Sequence, residues 1–497
     1  MKRIFRWYDH LALNVHWLGL NVATGAITPV ILPYLVALFV QEEQKNTYLA
    51  TIRIVSLAVA MLIQPVAGML SDRTTSRWGR RRPYIFWGTL FNILFLLVVG
   101  ISPQLEGSSA DDFFQSLLAV STPYMVLLVG IVLVQAAANV IFGALIGLIP
   151  DLVPEDQRGR SSGVKAVFEL LPAFLIIFIG PLVDKGRIWL VIGIVAGSLL
   201  LTMLITILFI REKPLKEKPA TGISERVWRL VGLTAIFVIV TQAAVWFVRT
   251  GASELSSRGA SISWQITLVG LAGLIGMAGS IFIGVYFGAW VGIGKEASKQ
   301  TSFIWWVINR LLFFAAVGSI QGFALFYLRD YLQAENPATM TTQLLAAVGL
   351  FLLPSALGGG YLADRIGRKR LVAYAGILAA VGTLLLLFST SFLMVVISGC
   401  IIGLGAGAFM ATSWALGTDL VPPQEAGRYL GISNLAGAGA GIVGAGIGGP
   451  IADFFNQFQP GFGYLVIFAI YSALFLISVA TLTRVHPPKM IAQEQSI

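Results

Sequence analysis

Apolar residues run through this chain in long blocks, with neither the period of two of a half-buried strand nor one polar helix face per turn. A helix needs about 20 apolar residues to cross a bilayer, and the blocks have that length. Six precede Arg211: about Leu11 to Val40, Tyr48 to Leu70, Tyr84 to Ser102, Pro123 to Ile149, Ser162 to Val183 and Ile188 to Ile210. Two more, about Trp228 to Val248 and Trp264 to Val291, form a hairpin. Six follow: Phe303 to Leu328, Leu344 to Leu362, Leu371 to Phe388, Phe392 to Leu416, Tyr429 to Ile451 and Gly463 to Leu482. The pattern predicts an all-α integral membrane protein of about 14 helices. It divides into a six-helix bundle over 1–210, a linker and hairpin over 211–300, and a second six-helix bundle over 301–497. The linker Arg211-Glu-Lys-Pro-Leu-Lys-Glu-Lys218 is charged and proline-bearing, as a connection in water should be.

Short polar loops between the blocks carry the charge. The run Gly68-Met-Leu-Ser-Asp-Arg73-Thr-Thr-Ser-Arg77-Trp-Gly-Arg80-Arg81-Arg82-Pro83 holds five arginines that hydrocarbon would exclude. With the N-terminus inside, roughly 26 of the 34 Lys and Arg fall in loops and tails on one side. The positive-inside bias therefore predicts a multi-pass protein of the plasma membrane with both termini cytoplasmic. Met1-Lys-Arg-Ile-Phe-Arg6 leads into a block too long for a signal-peptide core and is expected to precede an uncleaved first helix.

Three sequence pairs disclose a duplication. The arginine loop returns as Gly360-Tyr-Leu-Ala-Asp364-Arg365-Ile-Gly367-Arg368-Lys-Arg370. Asp151-Leu-Val-Pro154, with Gly159-Arg160 and Gly163, aligns without a gap on Asp419-Leu-Val-Pro422, with Gly427-Arg428 and Gly431. Gly180-Pro181-Leu-Val-Asp184 matches Gly449-Pro450-Ile-Ala-Asp453. Two related halves with an unrelated hairpin between them account for all three.

Composition narrows the function. Hydrophobic residues make up 57% and charged residues 12%, with a mean hydropathy of +0.82. The net charge of +10 follows from topology, because the cations sit in short loops and not in a polar domain fit for nucleic acid. Cys400, the single cysteine, excludes a disulfide framework and a cysteine-based metal site. No Walker loop or HExxH occurs and no soluble domain is long enough for a separate active site, so no enzyme, cofactor or metal is expected.

The paired Gly-x-Leu-x-Asp-Arg loops, each followed two helices later by Asp-Leu-Val-Pro, resemble those of the major facilitator superfamily. The resemblance covers both six-helix halves and not Trp228 to Val291. Within it, Ser71 to Pro83 is similar to the corresponding loop of the sucrose/proton symporters and, less closely, of the wider glycoside/cation symporters. It implies two six-helix bundles, to which the apolar pattern adds the inserted hairpin, acting as a monomer in the lipid bilayer. Such a protein moves a small-molecule substrate by alternating access, coupled to protons or else to sodium. A sugar or glycoside taken up by proton symport is the leading reading; an exporter of drug-like or amphipathic compounds, or a lipid-moving protein or non-transporting sensor on the same scaffold, are the alternatives. One position departs: where the sucrose symporters carry an arginine in the fourth helix, counting back from Asp151 gives Ile146. The sucrose mechanism therefore does not transfer intact.

The resemblance also implies a latch on the arginine-loop side, made of Asp72 with Arg73, Gly79 and Arg80, and Asp364 with Arg365, Gly367 and Arg368. Asp151 with Arg160 and Asp419 with Arg428 are its expected second members. Titratable groups inside spans are costly and so point to function. His16 and Glu169 are the proton-coupling candidates, each with a structural alternative: a neutral hydrogen-bonded imidazole, and an ion pair of Glu169 with Lys165 one turn away. Substrate-binding candidates are Asn21, Thr24 and Thr28 in the first block, Gln135 and Asn139 in the fourth, Asn309, Arg310 and Gln321 in the first block of the second half, and Ser413 and Trp414 in its fourth. Arg53 is expected to snorkel to the nearer interface. The glycine-rich run from Gly437 to Gly448 suits a sliding helix contact.

Overall fold

A computed structural model describes residues 6–118, 120–210, 212, 224–294, 300–421 and 426–486, except for the side chains of 110, 113, 114, 117, 118, 224, 226, 292, 293 and 426–436. Fourteen described helices are long and apolar enough to cross a membrane. They are α1 (Trp7–Phe39), α2 (Glu42–Ser71), α3 (Arg82–Leu105), α4 (Thr122–Leu152), α5 (Glu155–Asp184), α6 (Ile188–Phe209), α7 (Val227–Ser257), α8 (Ile262–Val291), α9 (Thr301–Tyr331), α10 (Pro337–Ile366), α11 (Arg368–Leu387), α12 (Phe392–Asp419), α13 (Gly437–Asn456) and α14 (Phe462–Arg484). The expected number and order hold. The helices run past the apolar blocks, α10 starting seven residues before Leu344, because polar residues complete the first turns outside the hydrocarbon. A short helix, Ser109–Leu118, occupies the loop after α3, where no element was expected. The Asp111 carboxylate accepts from the Thr122 amide at 2.7 Å and ties that helix to the start of α4.

Several spans are not regular. α5 is broken into Arg158–Leu170, Pro172–Leu175 and Gly180–Asp184, because Pro172 and Pro181 remove backbone donors. α1 widens into a π-type turn at Ile27–Ile31, which contains Pro29 and precedes Pro33, and α9 does so at Tyr327–Tyr331.

Packing repeats between the halves. α1 lies on α6 as α9 lies on α14, and α4 packs on α2 and α3 as α12 packs on α10 and α11. The halves meet where α2 crosses α13 and α5 crosses α10. Gly449 and Gly180 sit at those two crossings: a Cβ on Gly449 would run into the Asn46 carbonyl, and one on Gly180 into Thr342 and the Ala338 carbonyl. The hairpin α7–α8 packs on α13, with α7 also touching α2 and α8 touching α9 and α14. Gly439 and Gly284 both admit the Phe237 ring of α7 there. Other glycines of α13 face α2 at Leu57 and Ile54, and α9 at Ala315, so close approach extends around most of that helix.

Candidate functional site

Three structural groups bear on function: a polar cavity in the span interior, a ring of bonds at the end remote from the arginine loops, and the arginine loops themselves.

The cavity, of about 70 Å³, is bounded by α1, α2, α3 and α4. Its polar lining is Thr24, Thr28, Arg53, Ser56, Asn92 and Gln135. Arg53 is 8% exposed and does not snorkel, which corrects the sequence expectation. Its Nη2 donates across the seam between the halves to the Gly318 carbonyl of α9 at 3.0 Å. Gly322, one turn further along α9, leaves the room that the guanidinium fills. The reason is geometric: the α13 and α9 side of α2 is closed by protein, so the nearest polar partner is a carbonyl of the other half and not water. Arg53 Nη1 and Asn92 Oδ1 are buried and without a hydrogen-bond partner among the described residues, while Asn92 Nδ2 donates to the Val134 carbonyl at 2.9 Å. A donor and an acceptor are thus left for a guest.

Sequence reasoning anticipated Thr24, Thr28 and Gln135 of this lining and missed Arg53, Ser56 and Asn92 as site residues. Asn21 and Asn139 turn their amides back to Trp17 and Gln135 of their own helices. Asn309 lies away from the cavity, its Nδ2 donating to the carbonyl and hydroxyl of Ser478 on α14 at 2.8 Å each. His16 is its counterpart in the first half, fully buried with Nδ1 3.0 Å from the Thr202 hydroxyl and Nε2 3.0 Å from the Thr89 hydroxyl. Both side chains therefore bridge the first and last helix of their half. Glu169 and Lys165 form an ion pair at 2.7 Å, and the Lys165 ammonium stands 4.3 Å from the centre of the Trp17 ring.

In the second half Arg310 lies among aromatic rings, 4.8 Å from Phe314, 5.0 Å from Trp414 and 5.9 Å from Trp306. Such faces attract a cation with little water about it. Arg310 Nη1 has no hydrogen-bond partner among the described residues. Ser413 gives its carbonyl to Trp306 Nε1 at 2.8 Å, and its own hydroxyl has no described partner. Arg310, Phe314, Gly318 and Gln321 recur at helical spacing along α9, and Gln321 is exposed although it lies within the span.

The remote end joins the halves with mirrored bonds. The Asp453 carboxylate, closing α13, accepts from the amides of Asn46 at 3.1 Å and Thr47 at 2.7 Å and from Asn46 Nδ2 at 2.8 Å. The Asp184 carboxylate, closing α5, accepts from the amides of Ala338 at 3.0 Å and Thr339 at 2.8 Å and from the Thr339 hydroxyl at 2.6 Å. Each acid thus satisfies open N–H groups at the start of a helix in the opposite half, where the helix dipole favours a negative charge. This gives the repeated Gly-Pro-x-x-Asp a role: the glycine permits the crossing and the aspartate fastens it. Lys45, 2% exposed on its side chain, pairs with Asp330 at 2.6 Å and with Glu42; Tyr464 donates to Asp330 at 2.7 Å, and Arg329 reaches Glu42 at 3.1 Å.

At the arginine loops the ion pairs of Arg81 and of Arg368 each lie within one half. Arg81, absent from the residues expected for a latch, joins the carboxylates of this loop: it pairs with Asp72, with Asp151 at 3.0 Å and with the Ser71 hydroxyl at 2.5 Å. Gly147 lies against its guanidinium, in space that a Cβ would occupy. Arg80 pairs with Asp151, not with Asp72. Gly79 takes φ +105°, a backbone conformation that suits glycine, and the Glu212 side chain fills the space beside it. One Glu212 oxygen accepts from the amides of Arg81 at 2.9 Å and Arg82 at 3.1 Å, so it caps the start of α3. Burial pushes the Glu212 carboxyl upward, against the two amides and Arg81. In the second half Arg368 binds both oxygens of Asp419, at 2.6 and 2.7 Å. Asp364 is exposed and carries no ion pair among the described residues, so the expected Asp364–Arg368 pairing is replaced by Arg368–Asp419. Arg365 turns outward over the Tyr361 ring at 4.5 Å, while Gly367, at φ +94°, makes the turn between α10 and α11. Arg160 is exposed and pairs with no acid among the described residues; Arg73 is half-buried in the loop; the side chain of Arg428 lies outside the described residues.

Comparison with known proteins places the chain. The sequence model of the Major Facilitator Superfamily matches residues 17–331 and 308–496. The chain is 29% identical over 211 residues to the general alpha-glucoside permease of Schizosaccharomyces pombe, covering 41% of this chain and 37% of the permease. It is 30% identical over 107 residues to a sucrose transport protein of Arabidopsis thaliana (21% and 18% covered). It is 31% identical over 142 residues to a glucose transporter of Staphylococcus epidermidis (28% and 31%). The matched segments therefore span 18% to 37% of these relatives' own lengths. In fold, the chain is similar to a D-xylose-proton symporter (TM-score 0.60, 15% identity, 95% of this chain and 96% of that one). It is likewise similar to a nucleoside transporter (TM-score 0.62, 10% identity, 95% and 98%). Matched in both halves and folded as two six-helix bundles around a hairpin, the chain belongs to the Major Facilitator Superfamily of membrane transporters.

Proposed function

We propose that the protein is a secondary active transporter that takes up a sugar or glycoside with protons by alternating access. The observation that carries this reading is the polar cavity lined by Arg53, fastened to the opposite half, and by Asn92, whose buried Nη1 and Oδ1 have no hydrogen-bond partner among the described residues. Vicinal hydroxyls, each both donor and acceptor, match such a pair, and the relatives named for alpha-glucosides, sucrose and glucose point the same way.

The conformation is read as cytoplasm-open. With both termini and the arginine loops on the cytoplasmic side of the plasma membrane, the Asp184 and Asp453 caps close the outer end. The Arg81 and Arg368 ion pairs each lie within one half and would not themselves hold the inner end together. Residues 1–210 and 301–497 are the moving bundles, and 211–300 supplies the linker and a hairpin that rides on α13. The protein acts as a monomer.

Glu169 is assigned the proton. It is partly exposed, beside the cavity helix α1, and protonation would break its ion pair and leave Lys165 with the Trp17 face alone. His16, sealed between two hydroxyls, is assigned to structure. A solute bearing a carboxylate is the second reading, favoured by the partnerless nitrogens of both Arg53 and Arg310. Counterflow of labelled methyl α-glucoside in proteoliposomes, competed by methyl α-glucuronide, tests both. Exchange of the neutral sugar supports the first reading, exchange blocked only by the acid supports the second, and no exchange with either removes the sugar assignment.

A further inference from the structure

A groove of mixed polarity marks the place where the hairpin meets the second bundle. It has a volume of about 450 Å³ and lies between α7, α8 and the last turns of α13, at the end remote from the arginine loops. Val248, Val269 and Phe454 contribute apolar surface to it, and Arg249, Ser256 and Gln457 contribute polar groups. Arg249, Ser256 and Gln457 are all exposed, so the groove opens outward from the helices.

Depth and charge identify an occupant. Leu230 to Val248 on α7 is nineteen residues without a charge, about 28 Å of helix, close to the roughly 30 Å of a hydrocarbon core. Arg249 follows at once, which puts it at the level of the lipid phosphates, and the rest of α7 continues through the headgroups. The acids nearby are engaged elsewhere: Glu254 pairs with Arg258 at 2.7 Å, and Asp453, next to Phe454, accepts from the amides of Asn46 and Thr47. Arg249 has neither an ion pair nor a hydrogen bond among the described residues, although it lines the groove itself. The Ser253 and Ser257 hydroxyls, also on the lining, donate to the carbonyls of Thr250 and Glu254 at 2.9 Å each. Arg249, the Ser256 hydroxyl and the Gln457 amide remain as donors. One positive charge with two neutral donors suits a singly charged phosphodiester, and the apolar surface beside them suits the chain attached to it.

We infer that this groove is a binding site for an anionic glycerophospholipid of the leaflet at the end remote from the arginine loops, its phosphodiester meeting Arg249, Ser256 and Gln457 and an acyl chain lying against Val248, Val269 and Phe454. A lipid held there joins the hairpin to the turn of α13 that carries Asp453.

The test is fluorescence quenching of the full chain in mixed micelles by phosphatidylglycerol or phosphatidylcholine brominated on the acyl chains. The signal gained in Phe454→Trp, on the groove wall, is isolated by subtracting the parent. Phosphatidylglycerol should bind about fivefold more tightly than phosphatidylcholine, which is the attraction of about 1 kcal/mol between one cation and an anionic headgroup. Arg249→Gln should bring the two lipids level. Ser253→Leu, which fills the groove from an exposed position, should weaken both. Inorganic phosphate, added at constant ionic strength, should displace neither. Equal affinity for the two lipids overturns the inference, and so does an undiminished preference in Arg249→Gln or unchanged binding in Ser253→Leu. Displacement by phosphate would make the site one for a free anion and overturn the lipid assignment. Arg249 and Ser253 are both exposed, so each variant tests the site without removing a packed side chain.

Discussion

Removing the mirrored aspartate caps should open the remote end of the molecule. Asp453→Asn keeps the shape of the side chain and one acceptor oxygen, but it places an NH2 group against one of the N–H donors of Asn46 and Thr47 and removes the charge at that helix start. A charge-assisted hydrogen bond contributes about 1.5–3 kcal/mol and a charge at a helix N-terminus about 0.3–1 kcal/mol. A loss of about 2 kcal/mol per cap shifts the balance between closed and open states about thirtyfold. Asp184→Asn should do the same at the α10 start. The two caps share no partner, so the double variant should add to about 4 kcal/mol, close to a thousandfold. Nitroxides at Glu106 and Glu335, on opposite halves, would report the change as a longer distance population in pulsed dipolar spectra; Cys400→Ser supplies the cysteine-free background. The reasoning is refuted if the folded double variant gives the parent distance distribution.

Further outcomes follow from the other groups. Gly322→Ala puts a methyl into the Arg53 guanidinium and should reproduce the tenfold or greater loss of sugar affinity expected of Arg53→Gln, measured by calorimetry; affinity unchanged from the parent in both would dissociate Arg53 from the site. Glu169→Gln should abolish gradient-driven accumulation and keep counterflow, whereas His16→Leu should cost about 1–3 kcal/mol in unfolding and leave coupling intact. The raised Glu212 pKa means that the folded state binds the proton more tightly than the unfolded chain, so its contribution is full below the unfolded carboxylate range and declines as pH rises through the higher folded value. Glu212→Gln, whose carbonyl can still accept from Arg81 and Arg82, should flatten the thermal-stability profile over that window; an unaltered slope would discount the carboxyl.

Helix number, duplication and the hairpin were legible because each rests on local composition, and bilayer crossing is decided by composition. The Asp184 and Asp453 motifs were visible as a repeat, but their partners are backbone amides in the opposite half, which have no sequence signature. The arginine–aspartate pairings differ from those expected on another ground. Five arginines share one loop, and only the turn made by Gly79 and the space beside Gly147 select Arg81 over Arg73 and Arg80. Arg53 was misplaced because snorkelling assumes lipid on one side, whereas α13 and α9 enclose that face of α2. Thr24, Thr28 and Gln135 were found since neutral polar groups within spans are few, and Asn309 and His16 drew notice for the same reason while serving helix contacts.

Proteoliposomes carrying the purified chain, given labelled methyl α-glucoside and an imposed gradient with the outside acidic, test the central claim most directly. The account predicts accumulation above the outside concentration that collapses with a protonophore and is absent in Glu169→Gln. Equilibration to the outside concentration, unaffected by the gradient, would contradict it.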